Sequence, residues 1–240
     1  MLKKKCKSIV LVVLCLFVFS IQIISAQSLP LQDTIIMVDA GHGGRDSGTY
    51  YGDILEKDIN LEIAKELEKE LTKYGTIVYM TRKRDVDLSS IYDSAKKRGD
   101  LYRRLLLIKE KKCDLYISIH INWYDDNTLR GAEVLYNSIN KENKVLAQSI
   151  MNRFKKELDS NRNIKTTDLY MYRNTTTPGV LVECGYLSNP TERKLLQKEE
   201  YQKRLAKTIT KGIIDFMKKG NKVKYVCLLY TSDAADDLTR

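Results

Sequence analysis

Apolar positions along this chain follow two rhythms. Short runs rich in β-branched residues recur at Thr34–Val38, Thr76–Thr81, Leu115–Ile119, Ala132–Tyr136, Leu169–Tyr172 and Val180–Val182, and predict strands. Between them the spacing lengthens to three and four. Ile59, Ile63, Leu67 and Leu71, with Ala64 beside them, make one apolar helical face. Leu101, Leu105 and Ile108 mark a second helix, and Leu146, Ile150, Phe154 and Leu158 a third. Leu205, Ile209, Ile213 and Met217, with Phe216 alongside, mark the last. Gly75 and Gly220 stand where helices are expected to stop. Strands alternating with helices predict a single α/β domain, a mostly parallel or mixed sheet of about six strands with helices on both faces. The pattern contains no internal repeat, low-complexity linker or second domain.

The two ends break this rhythm. Lys3, Lys4, Lys5 and Lys7 precede an unbroken apolar run from Ile9 to Phe19, and Ser25-Ala26 follows as a small-residue cleavage site. Residues 1–26 therefore read as a secretory signal, with an uncleaved N-terminal anchor as the alternative. The apolar run is short against the roughly 20 residues of a membrane span, which favours cleavage. Leu14, not a small residue, precedes Cys15, which argues against lipidation. Residues 27–33 read as a linker, 34–220 as the folded domain and 221–226 as a basic end. Cys227 to Asp237 resembles an in-frame translation of the transposase adapter used in sequencing libraries. Residues 227–240 are accordingly read as a read-through artefact outside the fold, with an ordinary tail as the alternative.

Composition narrows the setting. The net charge of the 240 residues is +10; setting aside the signal and the tail leaves 36 basic and 28 acidic residues. A basic exported domain favours anionic partners such as cell-wall polymers. The basic residues are scattered along helices, which with export argues against nucleic acid. A membrane would be met only through an uncleaved N-terminal segment. Between signal and tail only Cys113 and Cys184 remain, too few for a disulfide framework, so both are expected to be buried free thiols.

The chemistry gathers at three strand ends. The run Ile35 to Ala40 closes in Gly41-His42-Gly43-Gly44, the run from Leu115 delivers His120, and Val180-Leu181-Val182 delivers Glu183. His42 and His120 are the only two histidines. In open α/β sheets the C-terminal edge of the strands is where ligands bind. With Glu56, in a loop fourteen residues after His42, these side chains make a His/Glu/His set suited to zinc and a spare carboxylate. A structural role for each residue alone stays open, since there is no HExxH and no CxxC pair. The glycines around His42 do not make GxGxxG or a Walker loop, which argues against nucleotide binding, and GxSxG is absent.

At these residues the chain resembles the zinc-dependent N-acetylmuramoyl-L-alanine amidases of type 3. The resemblance rests on Val38-Asp39-Ala40-Gly41-His42-Gly43-Gly44, Leu55-Glu56-Lys57-Asp58-Ile59-Asn60-Leu61, Met80-Thr81-Arg82, Ser118-Ile119-His120-Ile121-Asn122, and Pro178 to Asn189. The blocks occur in family order across Thr34 to Lys218. The resemblance implies a mixed sheet flanked by helices and one zinc per chain, held by His42, Glu56 and His120. It makes Glu183 the catalytic carboxylate. Arg82, Asn122, Arg173 and Asn189 are candidates for supporting or substrate-contacting roles, though each taken singly reads as a surface or turn residue. The expected substrate is the peptidoglycan glycan strand with its stem peptides, cut between N-acetylmuramic acid and L-alanine. The expected setting is the cell wall or the spore intermembrane space, with an activator protein as a further partner. Arg98-Gly99-Asp100-Leu101, Arg103, Arg104, Arg130-Gly131-Ala132 and Glu183-Cys184-Gly185 lean toward the single-domain spore-cortex group. One departure is Asn122-Trp123-Tyr124, where relatives often carry small residues; aromatics there line the glycan groove or narrow it. A non-catalytic wall-binding protein of the same fold, or a zinc carboxypeptidase or deacetylase, are the alternatives. No ligand is missing, and the block order favours the amidase.

Overall fold

The computed structural model describes residues 29–236, with side chains through Gly220. The signal segment and residues 237–240 lie outside the described residues. Among the described residues there are eight strands, β1 (Ile35–Ala40), β2 (Tyr50–Tyr51), β3 (Ile54–Leu55), β4 (Ile77–Met80), β5 (Leu115–Asn122), β6 (Glu133–Tyr136), β7 (Lys165–Thr166) and β8 (Gly179–Tyr186). The helices are α1 (Glu56–Thr72), α2 (Lys96–Glu110), α3 (Lys141–Glu157), α4 (Tyr170–Arg173), α5 (Pro190–Leu196) and α6 (Glu199–Asp236).

Six strands form one sheet in the order β4-β1-β5-β8-β6-β7, and β2 pairs with β3 as a separate hairpin. β4, β1, β5 and β8 run parallel, while β6 runs antiparallel to β8. The expected six-stranded mixed sheet is present, but one member differs. Leu169–Tyr172, read as a strand, contains the short helix α4, and the sixth strand is Lys165–Thr166. The reason lies in burial. Met171 and Tyr172 are adjacent and both pack into the same smaller core, whereas a strand would send them to opposite faces.

Alternation along the strands divides the molecule. Ile36, Val38, Ile117, Ile119, Val180 and Val182 face the larger core with the apolar stripes of α1, α3 and α6. Met37, Tyr116 and Leu181 face the other side, where Ile108 of α2 and Met171 and Tyr172 of α4 cover them. Each fully buried aliphatic side chain contributes roughly 1.5–3 kcal/mol, and the predicted positions Ile63, Leu67, Leu71, Ile150, Phe154, Leu205, Ile209 and Ile213 are all buried. Cys113 lies in the smaller core and Cys184 in the larger, both free, as expected.

Two boundaries differ from the sequence pattern. Leu31, in the expected linker, is buried in the core, and Leu31 N–H donates to the Tyr74 carbonyl at 3.1 Å, so this segment docks against the end of α1. α6 does not stop at Gly220 but continues to Asp236, through the basic end and most of the segment read as an artefact. Gly220 lacks the left-handed conformation that turns a chain out of a helix; a glycine held in a helix interior costs only about 1 kcal/mol relative to alanine. Among the described residues no helix is long and apolar enough to cross a membrane.

Candidate metal centre and active site

The parallel strands β1, β5 and β8 bring their C-terminal ends to one edge of the sheet. β1 lies between β4 and β5, so chain direction around the sheet reverses there, and a crevice opens at that switch point. The alternation that buries Val38 and Ile119 turns Asp39, Ser118, His120 and Glu183 toward the sparsely covered face.

His42 follows β1 in a left-handed backbone conformation, φ 60°. Its Nδ1 lies 3.0 Å from Asp46 Oδ1 and its Nε2 3.3 Å from Glu56 Oε1. His120 Nδ1 lies 3.0 Å from the same Glu56 oxygen. Glu56 opens α1 itself, where the positive end of the helix dipole favours a carboxylate. No side chain caps α1. Instead the carbonyls of Thr49 and Ser47 accept from Glu56 N–H at 2.9 Å and Lys57 N–H at 3.1 Å. This pins the start of α1 to the segment that leads from the His42 turn into β2, over the strand ends. Thr49 N–H donates to Glu56 Oε2 at 2.8 Å, and Ile121 N–H and Asn60 Nδ2 donate to Oε1 at 3.1 and 3.2 Å.

His42, Glu56 and His120 each offer one ligand atom, and these atoms lie within 4.8 Å of one another. Two imidazoles and one carboxylate are a donor set suited to zinc, and Asp46 behind His42 is the kind of partner that fixes a ligating imidazole's tautomer. The approach is close: a Cβ on Gly41 would fall 2.3 Å from the His120 ring, and one on Gly48 2.4 Å from Glu56 Oε2. Burial alone would lower the His42 pKa, but hydrogen bonding and charge from Glu56 and then Asp46 raise it. Burial likewise opposes ionisation of Glu56, yet its two histidine partners hold it well below the usual carboxylate range.

Glu183 is the register partner of His120 on one side and of Glu133 on the other. It is half-buried, and its Oε2 is buried without a hydrogen-bond partner. Burial, and after it the charges of Glu56 and Glu133, push its pKa well above the ordinary carboxylate value. Glu133 is fully buried and anchored by Lys165 Nζ at 2.8 Å, Tyr186 OH at 2.9 Å and Asn122 Nδ2 at 2.9 Å.

The remaining candidates separate. Arg82 is buried and clamps the carbonyls of Ala40 and Gly41, both at 3.0 Å, and of Lys57 at 2.7 Å, tying the His42 loop to α1. Asn122 braces Glu133 and accepts from Trp123 N–H at 2.8 Å. Asn189 caps α5, accepting from Thr191 and Glu192 N–H at 3.0 and 3.1 Å. Arg173 is exposed and pairs with Asp168 at 3.2 Å, outside the cavities beside the histidines.

The sequence reading missed a buried ion pair beneath the site. Arg104 Nη1 donates to Asp39 Oδ1 at 2.6 Å and to the Ala40 carbonyl at 2.7 Å. Its Nη2 reaches the His42 carbonyl at 2.6 Å and its Nε reaches Asp100 at 2.8 Å. Asp39 also accepts from Ser118 Oγ at 2.5 Å and Thr81 Oγ1 at 2.8 Å. An acid inside an apolar strand and an arginine inside a helix stripe were the available signals. Asp46 and Asn60 were missed too; Asn60 stands one helical turn from Glu56, on the same face.

An α/β sheet whose switch point gathers two histidines and two carboxylates is the frame of a hydrolase. The model of the N-acetylmuramoyl-L-alanine amidase family matches residues 36–215, and the chain belongs to that family. It is 40% identical over 200 residues to the germination-specific N-acetylmuramoyl-L-alanine amidase of Bacillus subtilis, covering 81% of this chain and 84% of that protein. Among solved structures, the CwlD amidase of Clostridioides difficile, in complex with the GerS lipoprotein, is 33% identical with a TM-score of 0.74, covering 78% of this chain and 99% of that one. The catalytic domain of CwlV from Bacillus (Paenibacillus) polymyxa var. colistinus is 30% identical with a TM-score of 0.68, covering 77% and 98%.

Proposed function

We propose that this peptidoglycan amidase uses one zinc ion, held by His42, Glu56 and His120, to hydrolyse the amide between N-acetylmuramic acid and L-alanine. When bound, zinc supplies Lewis acidity that polarises the scissile carbonyl and makes water nucleophilic near neutral pH. Glu183 takes a proton from the attacking water and returns it to the nitrogen of the departing L-alanine. A carboxyl whose pKa burial pushes above its ordinary value suits a group that must both accept and give a proton. Arg82, Arg104 and Asn60 hold the backbone and carboxylate that carry the ligands. The observation that carries this reading is the convergence of His42, Glu56 and His120 on one point, with the unpartnered oxygen of Glu183 beside them.

The likeness to a germination-specific amidase favours a role on spore peptidoglycan, outside the cytoplasmic membrane, and the lipoprotein bound to CwlD supports an activator of that kind here. The test is mass spectrometry of purified peptidoglycan digested by the mature protein with zinc or with a chelator. Stem peptides with free N-terminal L-alanine should appear only with metal. Release of D-alanine would make the chain a carboxypeptidase, and release of acetate a deacetylase.

A further inference from the structure

Two spaces flank the metal set. One is a cavity of about 280 Å³ whose wall includes Asp46, Lys97, Asp100 and Arg104 together with Leu101 and Met171. The other is a groove that shares His42, Asp46, Lys97, His120 and Glu183 with the first and adds Glu56 and Trp123. Asp46 and Lys97 thus line both, and Trp123 belongs to the second alone. Trp123 is 38% exposed and Tyr124 60% exposed, yet their backbone is braced. Trp123 N–H donates to Asn122, itself held by buried Glu133, and Tyr124 N–H donates to Ser188 Oγ at 3.3 Å.

Singly exposed aromatics are ordinary on protein surfaces. Trp123 differs because it shares a groove with the metal set. Resting on the amidase reading above, the substrate's own chemistry then assigns the occupant. The scissile carbonyl is joined to the muramic ring through three bonds, so the sugar must lie against a wall of the site. An N-acetylated sugar is neutral and presents C–H faces, which match an aromatic face. We propose that Trp123 is the platform on which the muramic sugar stacks, with Tyr124 continuing that surface toward the next sugar of the strand. Trp123 is thus a positioning residue that makes the enzyme prefer glycan-linked peptide.

Trp123 is the only tryptophan of the chain, so its emission reports on the platform directly. Peptide-free glycan tetrasaccharide titrated into the mature protein should change that emission saturably. Trp123→Ala should raise KM for a disaccharide-tetrapeptide about three- to tenfold at nearly constant kcat, and leave KM for the sugar-free N-lactoyl-tetrapeptide where it was. Trp123→Tyr should restore most of the loss. Glycan that binds without altering the emission, or a KM rise equal on both substrates, would overturn the platform. Cleavage of neither substrate would sink the amidase reading instead, while the emission titration still decides the platform.

Discussion

Replacing Arg104 with methionine tests the foundation of the site. The Arg104 and Asp39 side chains are 1% and 2% exposed, so neither charge has water to fall back on. Removing one member of a buried ion pair typically costs about 3–5 kcal/mol, because the other is left uncompensated. The pH dependence gives an internal check. Burial pushes the Asp39 pKa up, but the Arg104 charge and the Ser118 hydrogen bond overcome it and hold the group at about 2, below its ordinary 3.8. A depressed pKa stabilises the fold above the unfolded value and is lost as pH falls through the folded one. By linkage this share is roughly 2–3 kcal/mol at neutral pH, lost between about pH 4 and 2, and it overlaps with the ion-pair cost. In Arg104→Met the sign reverses. Asp39 is then a buried carboxylate with its main partner gone, so protonation relieves it, and the deficit against wild type should narrow as pH drops from 7 toward 3.5. Urea denaturation followed by circular dichroism at several pH values measures this, and Asp39→Asn/Arg104→Met should lose less than Arg104→Met alone. A loss under about 1 kcal/mol, or a deficit independent of pH, would show that the pair is ordinary packing.

Glu183→Gln should keep its metal, read by atomic absorption, while activity falls about 10²–10⁴-fold; wild-type turnover would make Glu183 structural. Asp46→Ala should weaken zinc affinity about 10–100-fold in a chelator competition, since Asp46 fixes the His42 ring; unchanged affinity would remove Asp46 from the site. Ending the chain after Gly220 should leave the melting temperature within a few degrees, because the buried stripe of α6 from Leu205 to Phe216 precedes it; a large drop would mean that the later turns pack on the domain.

Much of this architecture was legible in the residues because burial writes a period into the chain. The four amphipathic helices and five of the six sheet strands carry that period in Ile63, Phe154, Ile209, Val38 and Ile117. The elements that were misread are those whose burial is set by long-range neighbours. Lys165–Thr166 is a two-residue exposed edge with no pattern to find, and Met171-Tyr172 looks like a strand until α2 and the sheet are seen to cover both. Each block of the proposed metal set could be read locally, from glycines, strand ends and a helix start. The support beneath could not. Asp39 and Arg104 meet across 65 positions of sequence, and nothing near either one names the other. Asn189 and Asn122 have visible hydrogen-bonding chemistry, but their partners lie with α5 and Glu133.

Glu56 and His120, which face each other at 3.0 Å, are 64 residues apart in the chain. Bringing such ends together in a loose chain carries a loop-closure cost that nothing local repays. His42, Glu56 and His120 therefore become neighbours only after β1 has paired with β5 and α1 has settled on the sheet. An unfolded or half-folded chain offers isolated imidazoles and carboxylates but no chelate. On the proposed metal reading, capture is a late event that recognises finished molecules and draws the folding equilibrium toward them as the free ion concentration rises. With zinc as the proposed ion, its supply would act on this protein twice, once on its rate and once on how much of it survives as folded enzyme.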